Sequence, residues 1–354
     1  MVRQFRGVDV QVAAFKLNRL RHPGRPTIFA TMDKQAKGTR KDRAAVTADE
    51  VKVDLIALVV AVNDNGPCVL TIGQADTLPS GPFALEHRSL QSGLRGWVEQ
   101  QTGHPLGYIE QLYTFADRDR IDSGRRQRAI SISYLALTRK EQAADSRKCG
   151  WRSWYEYFPW EDHRSGTPSV ELDVLRPQLI EWADGAGDAA TRRERRQRAA
   201  TAFGLDGRPW NEELTLQRYE LVYEAGLVQE AGSGRDPTRA SLVPSKSMVA
   251  DHRRIMATGI ARLRSKIKYR PVVFELMPQS FTLLQLQRTV EALAGRLINK
   301  PNFRRLVEQQ ELVEETGQTS LETGGRPAKL FRFRRAVLDD SAVVLGTKLP
   351  LARA

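Results

Sequence analysis

The stretch from 278 to 334 leaves the chain little choice of fold. Thr282 and Gln285 have the spacing of a helix capping box, in which each side chain satisfies the other residue's backbone N–H. Behind them Leu283, Leu286, Val290, Leu293 and Leu297 recur at steps of three and four, one apolar stripe along a helix that Gly295 can end. After a short connection over 299–302, a second helix is predicted over 303–310. Its Phe303, Leu306 and Val307 turn inward, which leaves Arg304 and Arg305 on the other surface. The period then changes from helix to strand. Residues 311–315 and 325–334 flank a polar Thr/Gly tip, and in the second strand Phe331 and Phe333 alternate with Arg332 and Arg334, giving one buried and one wet face.

Helix, turn, helix and basic hairpin make a winged helix-turn-helix, an α+β unit whose second helix enters the major groove and whose wing lies on phosphate or in the minor groove. Asn302, Arg304 and Arg305 fall early in the recognition helix, where side chains reach bases. Lys300, Arg326 and Lys329 are better suited to phosphates. Charge supports this placement. The whole chain carries a formal +13, and residues 251–335 alone hold 17 Lys or Arg against 8 Asp or Glu. A field so localised is the footprint of a nucleic-acid binder. A winged helix used only for protein contact is the plain alternative.

Upstream, 354 residues leave room for a further domain. The longest apolar run, residues 55–62, is strand-sized and far short of a membrane span, so no membrane partner is expected. Arg3 and Arg6 precede a polar Val8, Asp9, Val10, Gln11 sequence rather than an apolar core, so the cytoplasm is the expected location. Cys68 and Cys149 have no companions at metal-ligand spacing. Residues 1–50 read as a basic, flexible arm and 337–354 as a tail. Strands are predicted over 53–62, 68–72, 109–115 and 129–137, with a helix before Gly103, an α/β layered pattern. About 163–248 reads as a largely helical insertion, preceded by an aromatic cluster from Trp151 to Trp160 and carrying an arginine run over 192–198. That run is a solvated helix face or a protein or RNA contact surface.

The helix before Gly103 reads Leu94, Arg95, Gly96, Trp97, Val98, Glu99, Gln100, Gln101, Thr102, and a Leu78, Pro79, Ser80, Gly81 turn leads toward it. This pair of segments resembles a Nudix box, whose glutamates hold Mg²⁺ against a diphosphate. Gly96, Trp97, Gln100 and Gln101 stand where the box has its Arg-Glu and Glu-Glu pairs. A glutamine is neutral, so both the charge that recruits a hard cation and the base that activates water are missing. Gly81 to Gly103 is one residue longer than the box allows, and the first box glutamate falls on Arg88 or His87. The resemblance therefore implies a domain that keeps the frame without hydrolysis. A diphosphatase using Glu86, Glu99 or Glu110 outside the usual register is the rival. Residues 113–120 are similar to a loop of ADP-ribose-type Nudix proteins, and Arg88, Arg118, Arg120 and Arg128 are candidates for holding a diphosphate, which guanidinium forks suit.

Taken together, Phe281, Thr282, Leu283, Gln287, Arg288, Glu291, Ala292, Gly295, Asn302, Phe303, Arg304, Arg305, Gly325, Arg326, Pro327 and Ala328, preceded by Asp251, His252, Arg262, Leu263, Arg264, Lys266 and Tyr269, resemble the NrtR family of Nudix-related regulators of NAD metabolism. The resemblance implies an α/β Nudix-like domain of α/β/α sandwich type over 51–270, interrupted by the insertion, and a winged helix domain over 271–336. It further implies a homodimeric repressor of NAD biosynthesis genes that binds palindromic operator DNA and senses ADP-ribose or a related nucleotide, with no cofactor required. Some members sense other ligands, including a sugar. The insertion and the basic arm depart from the family pattern and leave effector identity and dimer geometry open.

Overall fold

Strand β1 (Lys52–Asn63) is apolar on both sides, and that places it at the centre of a sheet covered on both faces. The strands lie in the order β4 (Tyr108–Phe115), β5 (Ala129–Leu137), β1, β2 (Gly66–Ile72) and β6 (Cys149–Ser153), with the short β3 (Ser80–Pro82) pairing β1 beyond the end of β2. β5 runs parallel to β1, whereas β2 and β3 are antiparallel to it. β4 and β6 pair with β5 and β2 in antiparallel fashion. The four predicted strands are present with ends shifted by two residues or fewer. The computed structural model describes residues 51–73, 76–116, 129–139, 149–232, 243–320 and 327–334. All of them belong to one unit, Ala48–Ala354. The arm over 1–50 and the tail over 337–354 lie outside the described residues.

Alternation along β1 builds two cores. Leu55, Ala57 and Val59 pack with Leu94 and Val98 of α1 (Leu90–Thr102), while Ile56, Leu58 and Val60 join Ile255, Met256, Ile260 and Leu263 of a long helix on the opposite face. That makes an α/β/α sandwich. The long helix comes very close to the sheet at Gly259, where an added Cβ would sit 2.1 Å from Leu58 Cδ2. α1 starts at Ser89, whose side chain and that of Ser92 cap each other's backbone, and ends at Gly103 in the left-handed region.

The described part of the insertion is largely helical, as expected. It follows α2 (Trp154–Tyr157) and consists mainly of α3 (Arg176–Asp184), α4 (Ala189–Phe203) and α5 (Thr215–Glu224). It is not an appendage. Its Phe203 and Tyr219 are fully or almost fully buried in one core with the preceding Trp154, Tyr157, Phe158 and Trp160 and with the long helix, α6 (His252–Lys266). At its centre the Glu161 carboxylate accepts from Arg218 Nε at 2.5 Å and Nη2 at 2.7 Å, and from Arg264 Nη1. Burial alone would raise this carboxyl, but the two guanidinium groups outweigh it and hold it below the usual range. Much of the arginine run on α4 is already engaged. Arg195 lies 4.3 Å over the Trp182 ring, Arg196 pairs with Asp184 and Arg198 with Glu224. These pairs favour the solvated-face reading over a contact surface.

The last elements are α7 (Leu283–Ala294), α8 (Lys300–Gln309), β7 (Val313–Ser320) and β8 (Ala328–Phe333). Three sequence expectations are corrected here. Leu297 leaves the α7 stripe and is 64% exposed, because Gly295 adopts φ +73° and turns the chain before the next helical step. α8 begins at Lys300 rather than 303, since the Asn299 side chain accepts from Asn302 N and Pro301 sits in the first turn, where it loses no hydrogen bond. The first wing strand runs to Ser320 instead of stopping at 315, with a register irregularity between Glu315 and Thr319.

Candidate nucleic-acid interface and effector face

α7 is fixed at both ends. The predicted capping box forms: Gln285 N donates to Thr282 Oγ1 at 3.1 Å and Thr282 N to Gln285 Oε1 at 2.7 Å. At the other end its carbonyls are taken up by the sandwich: Tyr155 Oη donates to Ala292 O at 2.6 Å, Arg264 Nε to Leu293 O at 2.9 Å, and His163 N to Gly295 O at 2.6 Å. A Cβ on Gly295 would meet Glu161 O at 2.2 Å, so only glycine permits this approach. A cation at a helix C-terminus also meets the negative end of its dipole. The helix that opens the winged unit is thus seated directly on the preceding α/β/α lobe.

On α8, Phe303 and Val307 are buried, Leu306 is half-buried, and Lys300, Asn302, Arg304 and Arg305 are all exposed. The structure therefore brings four of the six predicted DNA contacts onto one helix. Among the described residues, Lys300, Arg304 and Arg305 have no carboxylate partner. Arg326 lies outside the described residues. Lys329 is exposed but bonded to both oxygens of Glu315, at 2.8 and 3.0 Å, and along the same wing Arg332 pairs with Glu314 and Arg334 with Glu311. A phosphate would have to displace Glu315 from Lys329. Such exposed pairs are worth only about 0–1 kcal/mol, so the exchange is cheap. Arg288, absent from the contacts expected from the sequence, is exposed on α7 and among the described residues likewise has no carboxylate partner. Helical periodicity alone could have flagged it, since it lies opposite Leu286, Val290 and Leu293.

The effector residues are less gathered. Arg88 is exposed in the segment leading to α1, and Arg118, Arg120 and Arg128 lie outside the described residues. Of the box positions, Gly96 and Gln100 face solvent, while Trp97 and Gln101 turn toward β3. Trp97 Nε1 donates to Pro82 O at 2.9 Å and its indole covers Gly81. His87 stands edge-on to that indole and Phe83 lies beside His87, at ring separations of 6.2 and 5.8 Å. The alternative metal ligands do not assemble either. Glu86 and Glu99 are exposed, and Glu110 bonds to Lys266 Nζ and Tyr108 Oη. Among the described residues no group of three or more His, Cys, Asp or Glu can hold a cation. With Gly96, Trp97, Gln100 and Gln101 at the box positions, the donor set offers no carboxylate there and does not fit the Mg²⁺ of a Nudix box.

The fold and surface together define a class of protein: an α/β/α sandwich, enlarged by a helical insertion, that carries a winged helix. Residues 273–333 match the NrtR DNA-binding winged helix domain family, so the C-terminal unit is a winged helix of NrtR type. The chain is 40% identical over 83 residues to the ADPR responsive transcriptional repressor NtrR of Acinetobacter baylyi, a match covering 23% of this chain and 33% of that one. It spans about a third of the length of that relative. Shewanella oneidensis NrtR complexed with a 27mer DNA is similar at 20% identity and a TM-score of 0.49, over 81% of this chain and 95% of that one. A MutT/nudix family protein from Enterococcus faecalis is similar at 15% identity and a TM-score of 0.47, over 82% and 90%. No helix among the described residues is long and apolar enough to cross a membrane.

Proposed function

We propose that this protein is a DNA-binding transcriptional repressor of NAD biosynthesis or salvage genes, working as a homodimer in the bacterial cytoplasm and senses ADP-ribose or a related nucleotide through a non-catalytic Nudix-like lobe. One observation carries the reading. Within a segment of NrtR winged-helix type, the outward surface of α8 presents Lys300, Asn302, Arg304 and Arg305 without carboxylate partners among the described residues. Arginines held free on a helix suited to the major groove are available for bidentate contact with guanine. The responsiveness of the Acinetobacter relative to ADPR supports the choice of effector. Two copies of the chain bound to a palindrome would place their α8 helices one helical turn of DNA apart. Effector binding then acts to the extent that it favours one arrangement of the protomers over the other.

Fluorescence anisotropy with duplexes from upstream of NAD-synthesis genes tests this. The expected result is salt-sensitive, sequence-selective binding that ADP-ribose weakens. Equal affinity for scrambled duplexes, with no response to ADP-ribose, would overturn it. The diphosphatase reading finds no support in the placement of Glu86, Glu99 and Glu110.

A further inference from the structure

At two positions where a Nudix box has metal-binding carboxylates, this chain uses its side chains to fasten a strand. Gln101 spans both backbone groups of one residue: Ser80 N donates to Gln101 Oε1 at 3.1 Å, and Gln101 Nε2 donates to Ser80 O at 2.8 Å. Ser80 itself dictates which end of the amide is oxygen. One turn earlier on α1, Trp97 donates to Pro82 O, and its ring lies so close over Gly81 that an added Cβ would sit 2.3 Å from Trp97 Cδ2. β3 is therefore held along its whole length, Ser80 to Pro82, by the box helix. The chain just before β3 is held from the other face, where Leu78 N donates to His252 Nδ1 at 3.0 Å at the start of α6.

A carboxylate cannot make the Gln101 contacts. It accepts but does not donate, so at neutral pH it would face the Ser80 carbonyl with two acceptors in opposition. Glutamate for metal and glutamine for the strand are thus mutually exclusive at this position.

We propose that Gln101 and Trp97 are positioning residues that clamp β3 onto α1, and that a nucleotide diphosphate taken up by this lobe is bound without a divalent cation. The ligand part rests on the functional reading above; the clamp does not. A protonated carboxylic acid has the same donor and acceptor pattern as the amide, so the Gln101→Glu variant carries its own rescue. Melting temperatures of wild type, Gln101→Glu and Gln101→Leu are to be compared from pH 7.5 to pH 5. At pH 7.5 both variants melt below wild type by about 2–4 °C. The Gln101→Glu deficit shrinks toward pH 5, because the clamp favours the protonated carboxyl and raises its pKa above the ordinary glutamate value of about 4.3, whereas the Gln101→Leu deficit stays constant. A Gln101→Glu protein as stable as wild type at pH 7.5, or a deficit that does not change with pH, overturns the clamp. Mn²⁺ binding gained by Gln101→Glu would overturn it too, since the new carboxylate would then be free of Ser80.

For the ligand, isothermal titration of wild-type protein with ADP-ribose in MgCl₂ and in EDTA should give the same affinity within about twofold. A tenfold loss in EDTA contradicts metal-free binding. Binding under neither condition defeats both the choice of effector and the ligand part of the proposal, while the pH comparison still decides the clamp.

Discussion

Arg305 and Lys329 carry the same charge in different surroundings. Among the described residues Arg305 on α8 has no carboxylate partner, and Lys329 shares its charge with Glu315 on the wing. Arg305→Ala is predicted to cost about 1–3 kcal/mol of operator binding and to relax the choice of base at one position. Lys329→Ala should weaken binding evenly across sequences and shallow its salt dependence. Anisotropy against a panel of single-base operator variants separates the two, and identical profiles would refute the division. Glu161 works at the same scale inside the molecule. Deleting its carboxylate leaves Arg218 and Arg264 buried and unpaired, so Glu161→Ala is predicted to cost about 3–5 kcal/mol in urea unfolding. Its folded-state carboxyl is depressed, so its stabilisation is complete above the unfolded value of about 4.3 and is lost as pH falls through the lower folded value. The stability gap between wild type and Glu161→Gln should hold steady from pH 7 to pH 5 and close below pH 4.

Between elements, close approach decides more than propensity. Gly81 does not need a left-handed backbone, so any cost of Gly81→Ala comes from the Trp97 ring above it. The alanine should therefore destabilise the wild-type protein and be nearly neutral in a Trp97→Ala background, a double-mutant cycle readable by thermal melts. Equal costs in both backgrounds would mean that the ring moves aside freely. The sequence showed which segments become strands and helices, because two-residue and 3.6-residue periods are local properties. Asn302, Arg304 and Arg305 were legible for the same reason: an amphipathic helix announces its wet face. The Gln101 clamp, the seat of Gly295 on Glu161 and the Lys329–Glu315 pair were not. Each depends on a partner brought near by the fold, and a glutamine's sequence position does not say which backbone it will meet. The early start of α8 was in principle readable from Asn299 followed by Pro301, a cap followed by a first-turn proline.

For the whole molecule, the insertion is a structural member. Its Phe203, Arg218 and Tyr219 are buried, and Arg218 helps hold Glu161 beside Arg264, which caps α7. Deleting residues 163–248 is predicted to abolish cooperative unfolding rather than leave a smaller working regulator. A truncated chain that melts sharply and binds DNA would show that the insertion is dispensable. Because Tyr155, Arg264 and His163 bond the carbonyls of Ala292, Leu293 and the capping Gly295 at the end of α7, a ligand in the sandwich would have a physical route to the winged helix. Coupling of that kind is reciprocal. The most direct test is to measure the ADP-ribose affinity of the full chain with and without saturating operator DNA, and the operator affinity with and without saturating ADP-ribose. The two ratios should be equal and differ from one, with ADP-ribose and DNA each weakening the other's binding. Ratios of one, with both ligands bound at once, would contradict a ligand-gated repressor.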